Sequence, residues 1–279
     1  MALVMIVSMV ACDFSNENDT TADQTTETKA EETTAEQTTA EQTTAEQTTE
    51  TETETETETD AADVMSYEEY AAAEMDAPVV IEAYVQATQS WWDNKIVAYL
   101  QDKDGAYFAY NMACTEEDAA KLVPGTKIRV TGFKGAYAGE IEILDATFTF
   151  VEGADTYIAP ATDVTALLAN EAELAKKMNM FVAFNGLTVV ASKDADGNDV
   201  AFLYKWNGSG TDGDDLYFNV SDGTNTYSFT VESYLCNKDT DVYKAVKALK
   251  IGDKIDTEGF LYWYNGLNPH ITSVKVVTE

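Results

Sequence analysis

The sequence predicts a mainly β protein, two tandem five-stranded barrels each with an inserted helix, carried behind a disordered N-terminal stalk. Three observations predict it. A ten-residue stretch occurs twice, as Pro124 to Phe133 (P-G-T-K-I-R-V-T-G-F) and as Ile251 to Phe260 (I-G-D-K-I-D-T-E-G-F). The same features lead into both copies in the same order: a polar turn (Gln101 to Gly105, Ser221 to Asn225), an alternating strand, a cysteine (Cys114, Cys236), a helical stretch and a glycine turn. This order indicates a duplicated supersecondary unit. Residues 13 to 63, in contrast, are mostly Thr, Glu, Gln, Ala and Asp with Phe14 as the one large apolar side chain, too little to offset chain entropy by burial.

The length of 279 residues is compatible with two domains. Formal charge is -33. Residues 1 to 63 hold 17 acidic side chains against Lys29 alone, leaving 33 acidic and 16 basic over the rest. A folded part this acidic lacks the basic footprint that phosphate-backbone binding requires, so long-range attraction to nucleic acid or anionic lipid is disfavoured. Cys114 and Cys236 occupy equivalent places in the two units, which argues for two buried thiols and against a disulfide between them.

Taken in order, Ala2 to Ala11 is an apolar run too short to span a bilayer and matched to the hydrophobic region of a signal peptide. Met9-Val10-Ala11-Cys12 resembles a bacterial lipobox, so residues 1–12 read as a lipoprotein signal peptide ending at a lipidated Cys12. Residues 13–63 then form a linker in which Thr-Thr-Ala-Glu-Gln recurs from Thr33 to Gln47 and Thr-Glu dipeptides run on to Thr59. As a flexible coil it would average ~40 Å end to end.

The first globular unit, 64–153, opens with Ser66 and Glu69 at capping-box spacing. Strands are predicted over 79–89, 95–101 and 106–111, a helix over 115–122, and two further strands over 127–134 and 140–150. Asp163 is placed to cap a helix carrying Leu167, Leu168, Leu174 and Met178 at helical spacing. The second unit, 163–279, repeats the order with strands over 180–191, 216–220, 226–231, 254–264 and 271–277, a helix over 239–249, and a long polar loop insert over 192–215. Three strands, a helix and two strands is the order of the OB-fold, a small five-stranded barrel. Whether the two barrels pack on each other stays open.

Three motifs carry a family resemblance: Gln-Ser-Trp91-Trp92-Asp-Asn-Lys, Leu-Gln-Asp-Lys-Asp-Gly105-Ala-Tyr and Pro-Gly125-Thr-Lys-Ile-Arg-Val-Thr-Gly132. With them, the stretch from Ser66 to Thr278 resembles the tandem OB-fold domains of surface lipoproteins of Gram-positive gut bacteria and, more distantly, the OB-fold segments of secreted nucleases. The resemblance implies the fold and a cell-surface setting; one barrel fold hosts many functions.

OB-folds hold ligands across strands two and three, framed by the loops after strands one and four. Those loops carry Trp91, Trp92 and Tyr137 in the first unit and Trp206, Tyr262, Trp263 and Tyr264 in the second. Flat aromatic faces stack on sugar rings or nucleobases, or else cap the barrel. Strand tyrosines Tyr99, Tyr107, Tyr110, Tyr217 and Tyr227 are divided by alternation between core and surface in a way the sequence does not settle. Asp194, Asp196 and Asp199 form a weak calcium candidate, though the glycine spacing is not that of an EF-hand, and a plain Asp-Gly turn is the simpler reading. No other cofactor is indicated. The one histidine, His270, reads as structural or as a surface residue, and no nucleophile elbow, phosphate loop or histidine metal motif is present.

The expectation is therefore a lipid-anchored extracellular protein whose tandem barrels bind an oligosaccharide or single-stranded nucleic acid without catalysis, touching the membrane only through its lipid. The alternatives are a surface module that binds another protein or acts as a spacer, and a metal-dependent nuclease or glycosidase working through the insert carboxylates.

Overall fold

The computed structural model describes residues 63–277. The expected signal peptide ending at Cys12 and the expected stalk, up to residue 62, lie outside the described residues. The fold is mainly β, with two closed five-stranded barrels of OB-fold type.

The first barrel is preceded by helix α1 (Tyr67–Ala72), opened by the expected capping box: Ser66 Oγ accepts from the Glu69 amide at 3.2 Å, and Glu69 Oε2 accepts from the Ser66 amide at 2.8 Å. Strands β1 (Pro78–Thr88), β2 (Lys95–Gln101), β3 (Ala106–Ala113), β4 (Lys127–Tyr137) and β5 (Glu140–Phe150) close in the order β1-β2-β3-β5-β4. Val79, Ile81, Ala83 and Val85 alternate into the barrel core, where Leu122 also lies. Helix α2 is a single turn (Glu116–Ala119) capped by Thr115. It stops short of the predicted 122 because the chain must turn into Pro124-Gly125, and the residue before a proline is pushed out of the helical region.

The segment after the first barrel is not the continuous helix expected from its apolar spacing. Asp163 is not a helix cap: its Oδ1 accepts from the Thr165 amide at 2.9 Å, and the short 3-10 turn that follows (Thr165–Leu167) has Val164 at its N-cap and no side-chain cap. Asn170, with φ -127°, breaks the path and starts helix α3 (Glu171–Leu174). Leu168 and Leu174 still reach the second core, so burial is satisfied without a regular helix.

The second barrel is built from β6 (Phe181–Val190), β7 (Leu216–Ser221), β8 (Thr226–Val231), β9 (Lys254–Phe260) and β10 (His270–Val276), with α4 (Asp241–Ala248) between β8 and β9. Its strands run β7-β8-β10-β9-β6, and pairing of β6 with β7 closes the ring. In the 192–215 insert, Ser192–Lys193 pairs with Asp199–Val200, and Leu203–Tyr204 extends the edge of β7. The Tyr243 hydroxyl of α4 donates to the Asp214 carbonyl and accepts from the Gly213 amide, both at 2.8 Å, which pins the insert to the barrel.

The repeated glycines have a steric reason. Gly125 and Gly252 take φ of +92° and +95°, a left-handed turn that disfavours any Cβ. Gly132 and Gly259 sit where the fourth strand crosses the fifth. A Cβ on Gly132 would lie 2.6 Å from the Leu144 carbonyl oxygen, and one on Gly259 would lie 2.2 Å from that of His270.

The two barrels form one compact unit with a buried contact between them. Val97 and Tyr99 of β2 and Phe108 of β3 point away from their own core and pack on Phe260, with Phe181, Leu235 and Tyr262 around them. Tyr99 stacks on Phe260 at 4.3 Å between ring centres. Polar contacts register the halves: Gln101 Oε1 accepts from the Phe181 amide at 2.8 Å, Glu140 Oε2 from the Trp263 amide at 2.8 Å, and the Asn179 side-chain amide donates to the Ile141 carbonyl at 3.0 Å.

Candidate ligand-binding face

The outward faces of β2 and β3, where a lone OB-fold would lay its ligand, are covered in the first barrel by the second one. This also explains His270. It is buried in the contact, 2.6 Å from the Tyr99 hydroxyl through Nδ1 and stacked on Tyr262 at 4.2 Å. Gln89 Nε2 donates to that hydroxyl, so the Tyr99 proton goes to His270 Nδ1, and the imidazole carries its own hydrogen on Nε2. Burial holds it neutral, with its pKa lowered to about 3.

The exposed rings gather in two clefts, the first at the end of that face, where Val97 of β2 and Tyr110 of β3 also line it. Trp92-Asp93-Asn94-Lys95 is a two-residue hairpin turn with φ of 48° at Asp93 and 57° at Asn94, the left-handed pair of a type I′ turn. Paired with Lys95 across the turn, Trp92 stands 78% exposed. It lines a cleft of about 580 Å³ with Gln89, Ser90, Tyr110, Asn111 and Tyr234. Trp206, 74% exposed on the insert, lines a second cleft of about 590 Å³ with Tyr217, Ser228, Tyr264, Leu267 and Asn268. On this side β7 and β8 remain open.

Between the clefts, the turn Tyr137-Ala138-Gly139-Glu140 again takes two left-handed residues (φ 52° and 97°) and sends Tyr137 out and Glu140 in. The Asn265 amide donates to the Ala138 carbonyl at 2.6 Å, docking this tip on the second barrel. Tyr137 thereby lies 6.1 Å from Tyr264, ring centre to ring centre, and the Tyr264 phenol holds its pKa above the ordinary value.

Of the seven aromatics the sequence singles out, Trp92, Tyr137, Trp206 and Tyr264 present rings to solvent. The other three do not. Trp91 packs on the first core and donates through Nε1 to the Cys114 carbonyl at 2.9 Å. Tyr262 lies in the inter-barrel contact, and Trp263, 5% exposed, belongs to the second core. Tyr110 and Tyr234 join the first cleft without having been singled out: one is a strand residue whose face alternation left undecided, and the other lies in a short loop brought there by barrel packing.

Carboxylates in the region are held by the fold. Burial pushes Glu140 up to about 8 and Glu232 up to about 7; Glu232 accepts from the Tyr234 and Leu235 amides at 3.1 and 2.7 Å. In the insert, Asp194 Oδ1 accepts from the Asp196 and Asn198 amides, while Asp199 pairs with Lys193 at 2.7 Å. Among the described residues no group of three or more His, Cys, Asp or Glu is placed to hold a metal ion. Cys114 and Cys236 are free and buried, their thiols raised to about 11 by burial.

No protein family and no curated protein matches the chain. Solved structures that match the chain include a murine DNA-binding protein bound with double-stranded DNA (13% identity, TM-score 0.33, covering 73% of this chain and 100% of that one). The Ifi202 HINa domain in complex with 20-bp double-stranded DNA has 12% identity and a TM-score of 0.33, covering 72% of this chain and 96% of that one. A replication protein A heterotrimer bound to single-stranded DNA has 10% identity and a TM-score of 0.30, covering 77% of this chain and 52% of that one.

Proposed function

We propose that the two barrels form the binding head of a lipid-anchored extracellular protein, tethered through Cys12 and the Thr/Glu stalk, and that the head holds its ligand by stacking on exposed aromatic rings without catalysis. One observation carries the reading: the two most exposed tryptophans, Trp92 and Trp206, each stand in a cleft that also holds tyrosine rings and uncharged hydrogen-bonding side chains. Leaving two indoles in water has a hydrophobic cost that a stacked ligand removes. An oligosaccharide or a single-stranded nucleic acid both offer faces of the right kind. A hydrolytic reading is less supported, since Glu140 has no solvent access and Glu232 is engaged by two backbone amides.

The test is tryptophan fluorescence of the full chain against soluble polysaccharides and single-stranded DNA and RNA, with Trp92→Ala and Trp206→Ala alongside. Saturable quenching lost in one of these variants is the expected result. Quenching by none of these ligands would overturn the reading in favour of a protein partner.

A further inference from the structure

We infer that the two clefts are ends of one continuous aromatic track crossing both barrels, and that its ligand is an uncharged linear polysaccharide. The inference rests on the stacking-led binding proposed above and adds the extent of the site and the chemistry of its occupant.

Continuity follows from shared members. Tyr110 lines the Trp92 cleft and stacks on Phe108 at 6.4 Å, and Phe108 meets Tyr262 of the second barrel at 5.3 Å, two residues before Tyr264. Tyr137 faces Tyr264 at 6.1 Å, and Tyr264 lines the Trp206 cleft. The steps therefore run Trp92, Tyr110, Tyr137, Tyr264, Trp206, passing from the first barrel to the second between Tyr137 and Tyr264. The tip that carries Tyr137 is held to the second barrel by the Ala138–Asn265 bond, so the junction is part of the folded interface. Four of the five rings are phenols or indoles more than two-fifths exposed on the first-barrel and junction side alone, and Trp206 completes the row.

Charge decides the occupant. Around the Trp206 cleft, Trp206, Tyr217, Ser228, Tyr264, Leu267 and Asn268 include no charged side chain. The Trp92 cleft has Asp93 and Lys95, one of each sign. Lys205 beside Trp206 is 3.7 Å from Asp214. A nucleic acid brings one negative charge per phosphate and gains its affinity from cations that replace counterions. Here Asp93 and Asp214 offset Lys95 and Lys205, and there is no surplus of cations to replace its counterions. A neutral sugar chain has no such penalty. It presents apolar ring faces to the aromatics and hydroxyls to Gln89, Ser90, Asn111, Ser228 and Asn268.

Calorimetry of the full chain with uncharged tri- and hexasaccharides of β-1,4-glucan, xylan and mannan, and with an oligo-dT 20-mer, tests this. At least one hexasaccharide is expected to bind with one site per chain, roughly tenfold or more tighter than its trisaccharide and without salt dependence. The junction variant Tyr137→Ala, at an exposed position that lines neither cleft, is expected to weaken the hexasaccharide about tenfold and leave the trisaccharide within twofold. Hexasaccharide and trisaccharide binding equally, at two sites per chain, would overturn the continuous track while leaving stacking-led binding intact. Salt-sensitive oligo-dT binding with no sugar response would overturn the choice of ligand only. Absence of binding by every probe would overturn the track and the underlying reading together.

Discussion

Glu140→Gln is expected to stabilise the protein at neutral pH, against the usual cost of changing a buried residue. Glu140 is fully buried where the first barrel meets the second, and burial raises its pKa from 4.5 to about 8. The Trp263 amide satisfies Oε2, but Oε1 has no hydrogen-bond partner, nor does Oδ1 of Asn179, whose side chain is within hydrogen-bonding reach of the carboxyl. A protonated Glu140 supplies the one hydrogen that two orphan acceptors lack. In the unfolded chain the proton leaves near pH 4.5, so keeping it in the folded state becomes increasingly costly as pH rises. Stability is complete below the unfolded value and falls between it and about 8, by about 1.4 kcal/mol per pH unit, which amounts to ~3 kcal/mol by pH 7. Glutamine keeps an acceptor for the Trp263 amide and a donor for Asn179 with no proton to lose. Urea unfolding of both proteins from pH 5 to 8.5 should show the variant gaining ~4 kcal/mol relative to the parent across that range. Parallel pH profiles, or a variant less stable throughout, would refute the reasoning and mean that Glu140 folds as a carboxylate.

Other consequences can be checked separately. His270 has its pKa depressed, so its contribution to stability is present above the unfolded value of 6.5 and lost as pH falls toward about 3; its ring carbon NMR shift should stay that of a neutral imidazole from pH 8 to pH 5. Gly132→Ala and Gly259→Ala drive a methyl into backbone carbonyls and should each lower stability by at least ~2 kcal/mol, measured as a fall in Tm, with Gly259→Ala the more severe because its contact is the shorter. Phe260→Ala removes the ring that stacks on Tyr99 between the barrels and should cost about 3–5 kcal/mol in urea unfolding while leaving Trp92 and Trp206 as exposed as before.

Much of the fold was legible because its signals are local. The Ser66–Glu69 box, the Gly125 and Gly252 turns, and the strand alternation of Val79 to Val85 each follow from a few neighbouring residues. The single helix expected after Asp163 failed because apolar spacing reports burial, and Asn170 allows the same side chains to be buried by a broken path. The site was legible only in part. Loop position correctly places Trp92, Trp206, Tyr137 and Tyr264 on the surface, yet Trp91, Tyr262 and Trp263 sit in similar loops and face inward. Trp91 and Trp263 turn into the cores of their own barrels, and Tyr262 into the contact between barrels, where residues more than a hundred positions apart meet, such as Tyr99 and His270; loop position records neither.

Ligand should meet the exposed rings and leave the internal ones untouched, and the four tryptophans provide four indole N–H signals that report it. In a ¹⁵N correlation spectrum of the full chain titrated with the hexasaccharide that binds, the Trp92 and Trp206 signals should move together and saturate, while Trp91, bonded to the Cys114 carbonyl, and Trp263, buried in the second core, stay in place. Movement of Trp91 or Trp263 with Trp92 and Trp206 unchanged would contradict it.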